Sequence, residues 1–364
     1  MANLVLYRKY RPQTFSEFVG QEHIIKIIAN EISGGMVSHA YLFCGPRGTG
    51  KTTLARLLAK SMNCQNKKEG TFEPCNKCNS CVEITQGRAI DLIEIDAASH
   101  RGIDEMRDLK DGIRFGPTKS KYKIFIIDES HQLTKEASNA LLKTLEEPPP
   151  HAIFILATTE IHKMISTIIS RCQRFDFRKL TLPELVGQLE HICKKENVKM
   201  EKPALELIAQ SATGSLRDAL SLLDQILAFL TNSKKEITTN DLKNLLGLVE
   251  IETVAKLADF IAQKKLAEAI GFLNEIADKG MDLQEFSKAA INYFRQILIL
   301  KIAGAGNQIL TGLGKEELLR MGNQAKSFKE EDLQKIINYF LEAENKMRYS
   351  SIPQLPLELA IIEA

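Results

Sequence analysis

Apolar positions in the first half of the chain fall in short runs. Residues 40–44, 122–127 and 152–157 are almost unbroken apolar stretches, the pattern of strands buried on both faces. Residues 90–96 alternate apolar and acidic positions, as a half-covered strand does. Between these runs the period changes to that of a helix over 22–32, 52–60 and 135–147, the last stopped by Pro148 and Pro149. Strands alternating with helices predict an α/β fold with a parallel sheet. From 180 to about 248 the pattern is helical throughout, with Pro183 near a helix start, and 251–364 reads as a series of amphipathic helices. The expected domains are 1–178, 179–243 and 244–364.

A chain of 364 residues with 44% hydrophobic content can build two or three cores. The formal charge of +2 calls for no polyanion, so any nucleic-acid contact has to come from a local face. No basic segment followed by an apolar core opens the sequence, and no apolar run approaches the ~20 residues of a bilayer span. A soluble, cytoplasmic protein without membrane contact is expected. Seven cysteines, an odd number, argue against a secreted disulfide framework.

Four of those cysteines cluster as Cys64, then Cys75-x-x-Cys78-x-x-Cys81. Four thiolates close a tetrahedral shell with no open position for water, so a structural Zn²⁺ is expected, pinning a surface excursion over 64–81. Cys44, Cys172 and Cys193 stand alone in apolar patterns and are expected as packed thiols.

The chemistry concentrates on Gly45-Pro46-Arg47-Gly48-Thr49-Gly50-Lys51-Thr52, which fits G-x-x-x-x-G-K-[ST] between a predicted strand and a predicted helix. Such a loop turns backbone N–H groups inward to cradle phosphate, and the binding set runs from Gly45 to Thr53. Lys51, taken as an exposed loop lysine, reaches the β/γ-phosphates of ATP, and Thr52 offers its hydroxyl to Mg²⁺. Asp128 and Glu129 end the apolar strand at 122–127. Two carboxylates there are costly unless used, so Asp128 is expected to hold Mg²⁺ and Glu129 to act as general base. Lys51 and Glu129 head the catalytic candidates. For nucleic acid the sequence offers Arg101, in a small basic loop before a helix running to about 113, and Lys143, mid-helix; an ordinary capped helix start explains Arg101 equally well.

Residues 7–21, which mix cations with aromatics, and the stretches GPRGTGKTTLARLLAKSMNC, DLIEIDAAS, IIDESHQLT, NALLKTLEEPP, ATTE, SRC and GSLRDALSLLDQ follow one order along the chain. In these the sequence resembles, over essentially its whole length, the clamp-loader branch of the AAA+ ATPases, the gamma/tau subunits of bacterial DNA polymerase III. The resemblance implies an AAA+ P-loop NTPase domain with a parallel sheet and zinc-binding insertion, a small helical lid, and an all-α collar for oligomerisation. It places Tyr7, Arg11, Pro12 and Val19 near adenine, makes Thr159 sensor 1 and Arg217 the sensor 2 of the lid, and makes Arg171 a catalytic arginine finger directed at a neighbouring subunit's ATP. A strand-end threonine, and an ion pair of Arg217 with Asp218, are the plainer alternatives for two of these.

The function implied is ATP hydrolysis in a complex with delta and delta-prime subunits and further copies of the chain, opening a sliding clamp and loading it onto primer-template DNA. A non-hydrolysing structural subunit resembling delta-prime and a homohexameric AAA+ DNA-remodelling ATPase are the alternatives. Ser130 stands where the family commonly has a hydrophobic residue, which is expected to alter local packing. The longer family form's polymerase- and helicase-binding segments are not expected within these residues.

Overall fold

Strands β1 (Ala40–Cys44), β2 (Leu92–Asp96), β3 (Lys123–Asp128), β4 (Ala152–Thr158) and β5 (Gln173–Asp176) form one parallel sheet in the order β2-β3-β4-β1-β5. The structure, a computed structural model, describes residues 4–68, 70–99, 112–113, 115–229, 237–239, 242, 251–304 and 315–364. Two units divide it, Met1–Ile237 and Thr238–Ala364.

Every residue of β1 and β4 is buried, which is why these central strands read as unbroken apolar runs, whereas edge strand β2 exposes Glu94 and Asp96. One face of the sheet, including Tyr41, Phe43, Ile124, Ile126, Ile153 and Ile155, packs against α2 (Glu22–Gly34) and α3 (Lys51–Met62). Ile24, Ile28 and Ile32 recur every fourth residue on α2, so one stripe of that helix meets the sheet. The other face, with Leu42, Phe125, Ile127, Phe154 and Leu156, is covered by Ala137, Leu141 and Leu145 of α5 (Lys135–Glu146) and by Ile168 of α6 (Ser166–Ile169). Thr134 caps α5, its hydroxyl accepting from Ala137 N. Two short helices, α1 (Leu6–Lys9) and α4 (Asn79–Thr85), precede β1 and β2 respectively.

The register sets Cys44 opposite Thr158 and Asp176, and Asp96 opposite Asp128. The carboxyl ends of β1, β3 and β4 therefore open along one edge, where parallel α/β sheets bind ligands. Phe177 N donates to Cys44 O at 2.6 Å, and the chain then leaves the sheet for α7 (Leu182–Lys195), α8 (Lys202–Ser211) and α9 (Leu216–Phe229). Glu184 caps the start of α7 by accepting from Thr181 N at 2.7 Å.

The expectation of helix throughout 180–248 needs one correction. Met200 and Ile237 form an isolated parallel bridge, in which Ile237 N donates to Lys199 O at 3.0 Å and Ile237 O accepts from Glu201 N at 3.1 Å. The chain entering α8 has no intrahelical partner for these groups, and the bridge supplies them. Residues 230–236, 240–241 and 243–248 lie outside the described residues.

In the second unit the described helices are α10 (Ile251–Ala262), α11 (Leu266–Asp278), α12 (Leu283–Ala303), α13 (Lys315–Ser327), α14 (Glu330–Met347) and α15 (Leu355–Glu363), as the amphipathic pattern predicts. Phe286, Phe294 and Phe340 are fully buried at their centre. Asp282 caps α12, its Oδ1 accepting from Gln284 N and Glu285 N. Among the described residues no helix is long and apolar enough to cross a membrane.

Candidate nucleotide site and metal cluster

The turn from β1 into α3 is the floor of a pocket in the first unit. Gly48 (φ +76°) and Gly50 (φ +100°) have left-handed backbones, and a Cβ would drive Gly48 into Ser215 Oγ and Gly50 into the Phe18 ring. The loop is thus packed between the first turn of α9 and the N-terminal segment. Tyr7, Arg11, Pro12, Phe18 and Val19 line one side of the pocket, loop residues Arg47 to Thr53 the floor, Asp128 and Glu129 the far wall, and Leu180, Leu216, Arg217 and Leu220 the roof. Gly45 and Pro46 contribute carbonyls just beneath it.

Lys51 corrects one expectation: it is buried, only 6% exposed, and is the first residue of α3 rather than an exposed loop side chain. Its Nζ donates to Gly45 O at 2.7 Å and to Pro46 O at 2.8 Å. Burial lowers its pKa, against the pull of the Glu129 and Asp128 carboxylates. A buried ammonium resting on two carbonyls can exchange them for phosphate oxygens at little rearrangement.

Thr52 Oγ1 donates to Asp128 Oδ2 at 2.7 Å, bringing two hard oxygen donors together where a divalent cation could take both. Glu129 sits in a left-handed conformation (φ +47°) that turns its carboxylate toward the end of β4. There it accepts from Thr159 Oγ1 at 2.9 Å and from Thr159 N at 3.3 Å. His131, nearly buried, lies 3.5 Å from the same carboxylate oxygen and 3.0 Å from Thr158 Oγ1. Ser130 is buried, and its hydroxyl donates to Ala157 O at 3.1 Å.

Arg217 enters the pocket from α9, with its guanidinium 5.1 Å from the centroid of the Tyr7 ring. Arg171 follows α6 and is not among the residues lining this pocket. It pairs with Glu146 at 2.6 Å and donates to Thr167 O at 2.9 Å. Lys143 is exposed on α5, and Arg101 lies outside the described residues.

Phe18, Ser215, Leu216, Leu220 and His131 belong to this neighbourhood and escape sequence reasoning. All five stand inside stretches already notable, Phe18 in 7–21, His131 in IIDESHQLT, and Ser215, Leu216 and Leu220 in GSLRDALSLLDQ, but no spacing singles any of them out.

Three known families match in succession: "DNA polymerase III, delta subunit" over residues 20–181, "DNA polymerase III clamp loader subunit, ATPase lid domain" over 184–232, and "DNA polymerase III subunits gamma and tau domain III" over 237–364. DNA polymerase III subunit gamma of Buchnera aphidicola subsp. Schizaphis graminum is 36% identical over 361 residues, covering 99% of this chain and 97% of that protein. The chain belongs to the gamma/tau family of DNA polymerase III subunits. DNA polymerase III subunit tau of Bacillus subtilis is 42% identical over the full chain, and that of Escherichia coli 38%. The chain spans 63% and 55% of the length of those two proteins. A RuvB variant from Thermotoga maritima shares the fold at a TM-score of 0.50 and 21% identity, covering 75% of this chain and 86% of that one.

The four clustered cysteines come together as the spacing predicts. The Sγ atoms of Cys64, Cys75, Cys78 and Cys81 all lie within 4.8 Å of one another. A zinc ion with Zn–S bonds of about 2.3 Å separates sulfurs by roughly 3.8 Å, so the set fits zinc with only small adjustment. Burial works to raise the Cys75 thiol, but N–H groups of Lys77 and Cys78 that donate to its sulfur outweigh it and bring it to about 6. Burial pushes Cys64 and Cys81 upward. All four ligands bind metal as thiolates, so metal affinity falls with acid. Cys44, Cys172 and Cys193 are free thiols away from this cluster, and burial raises each of them.

Protein purified without chelator is expected to carry about one zinc per chain by elemental analysis. Cys78→Ala should lose the metal and loosen the insertion while leaving the β-sheet core folded; a metal-free wild-type chain would remove the zinc assignment.

Proposed function

We propose that this chain is an ATP-hydrolysing subunit of the DNA polymerase III clamp loader. It would assemble with delta and delta-prime subunits and further copies of itself, open the sliding clamp, and close it around primer-template DNA in the cytoplasm. The observation that carries the proposal is the convergence of Lys51, the Thr52–Asp128 pair, Glu129 and Arg217 on one pocket of a gamma/tau family chain. Within the division 1–178, 179–243 and 244–364, we assign these parts to ATPase domain, lid and collar.

Lys51 and the loop N–H groups would hold the β- and γ-phosphates, and Tyr7, Arg11, Pro12 and Val19 would contact the base. Thr52 and Asp128 would ligate Mg²⁺, which neutralises charge on the phosphate oxygens. Glu129 would orient and deprotonate the attacking water. Thr159, which donates to Glu129, would offer the same hydroxyl to the γ-phosphate, and Arg217 would let the lid respond to that phosphate. Arg171 would complete the site of an adjacent subunit. Lys143, exposed on α5, and Arg101 are assigned to DNA phosphates, contacts that carry no base information.

A second reading is a structural subunit resembling delta-prime that does not hydrolyse ATP, favoured only by the match of residues 20–181 to the family described as DNA polymerase III, delta subunit. Lys51, Thr52 and Glu129 oppose it, since a chain that only props up its neighbours has no use for a cation pair and a base. ATP turnover measured with and without clamp and primer-template separates the two. Wild-type protein in the assembled complex is expected to turn over ATP and to be stimulated by both. Glu129→Gln keeps shape and hydrogen bonding, so ATP should bind while turnover falls by about 10²–10⁴-fold, the usual reach of general-base catalysis. Lys143→Ala should keep basal turnover and lose part of the DNA stimulation. Glu129→Gln with near-normal turnover would move the base elsewhere.

A further inference from the structure

The segment from Arg11 to Val19 walls one side of the pocket yet forms neither helix nor strand. Irregular chain of this kind loses backbone freedom at each ordered residue and must be held by something outside itself. What holds it is the cysteine insertion. Glu73 accepts from two successive backbone groups, Phe15 N on Oε2 and Ser16 N on Oε1, each at 2.9 Å. Asn76 Nδ2 donates to Gln13 O at 3.0 Å, and the Phe72 ring meets Phe15 edge-on at 5.7 Å.

Gln13 Oε1 then collects Lys60 Nζ at 2.8 Å, from α3, and Thr85 Oγ1 at 3.2 Å, from α4. Gln13 Nε2 passes the connection on by donating to Arg11 O at 2.9 Å.

Glu73 and Asn76 are positioned by the cysteines themselves. Glu73 lies two residues before Cys75, and Asn76 lies immediately after it in a left-handed conformation (φ +57°), a backbone state that Asn tolerates. Closing Cys64, Cys75, Cys78 and Cys81 around a metal fixes the loop that carries both. On the other side of the segment, Arg11, Pro12, Phe18 and Val19 reach the pocket, with the Phe18 ring against Gly50.

We infer that the cysteine insertion shapes the base-binding half of the nucleotide pocket, with Glu73 and Asn76 as positioning residues for the 11–19 segment. The inference rests on the nucleotide reading of that pocket. It gives the insertion a role in ligand affinity as well as in local stability. The phosphate half rests chiefly on β1 and α3, which carry Lys51 and the loop, and meets the segment at the Phe18 ring, which packs against Gly50.

The test is equilibrium binding to the full chain loaded with zinc, using ATP and, as a ligand without a base, inorganic tripolyphosphate. Glu73→Gln combined with Asn76→Gly removes one carboxylate acceptor and one amide donor, while glycine keeps the left-handed backbone. This variant is expected to retain zinc, to bind tripolyphosphate as the wild type does, and to bind ATP about tenfold more weakly. Glu73→Gln alone, the milder change, should show a smaller loss in the same direction. Stripping zinc from wild-type protein with a chelator should weaken ATP in the same selective way, and added zinc should restore it.

Unchanged ATP affinity in both the double variant and the stripped protein would overturn the inference. Equal loss of ATP and tripolyphosphate would overturn it too, because the whole pocket would then depend on the insertion. Lys51→Ala serves as the separate control: if it still binds both ligands normally, the nucleotide reading itself fails, whatever the double variant does.

Discussion

Lys51→Ala is expected to lose ATP binding by about two orders of magnitude or more. Hydrogen bonds that involve a charged group contribute about 1.5–3 kcal/mol each, and Lys51 would make two to phosphate oxygens, a total near 3–6 kcal/mol. At about 1.4 kcal/mol per decade that corresponds to roughly 10²–10⁴-fold in Kd. The structural cost is modest although the side chain is buried. Its two acceptors are Gly45 O and Pro46 O at the pocket floor, where water can replace an ammonium in the variant. The measurement is titration calorimetry with ATP and Mg²⁺, beside a thermal unfolding curve. Unchanged affinity in a folded variant would move the phosphate site away from this loop.

Arg171→Ala is expected to leave the chain's own ATP affinity nearly unchanged and to cut hydrolysis in the assembled complex by about 10³–10⁵-fold, the usual worth of an arginine finger. Arg171 does not line its own unit's pocket. Its side chain is one-third exposed and parked on Glu146, itself half exposed. An exposed pair of this kind holds by only about 0–1 kcal/mol, so the guanidinium can leave Glu146 for a transferring phosphate across a subunit boundary.

Mixing gives the sharper version. A Lys51→Ala chain, unable to bind ATP, should restore turnover to an Arg171→Ala chain by lending its intact arginine. A co-assembled mixture no more active than its separate components would place Arg171 outside catalysis.

These two residues differ in how far a linear reading carries them. The loop pattern names Lys51 but neither its burial nor the carbonyls of Gly45 and Pro46 on which it rests. Arg171 is assigned by resemblance at three residues, Ser170-Arg171-Cys172, and nothing in its spacing shows that it lies on Glu146 and does not line its own pocket.

By itself the sequence determined whatever depends on neighbours along the chain. The apolar runs of β1, β3 and β4 are legible because a strand buried on both faces has no polar position to spare, and α2 because its isoleucines repeat at the helical period. The phosphate loop is legible because its two fixed glycines, Gly45 and Gly50, stand where a Cβ would strike Phe177 or Phe18, and the cysteine cluster because three of its ligands share one short turn and helix start. Only the tertiary structure decided the pairings that join distant segments. The Glu129 carboxylate meets Thr159 across 30 residues, Glu73 meets Phe15 across 58, and Tyr7 comes under Arg217 from the opposite end of the unit. Each such contact is made by residue types common on any surface, with no local period or spacing to announce them. They form because the parallel sheet brings the carboxyl ends of β1, β3 and β4 to one edge and because α3 carries the cysteine insertion back against the N-terminal segment.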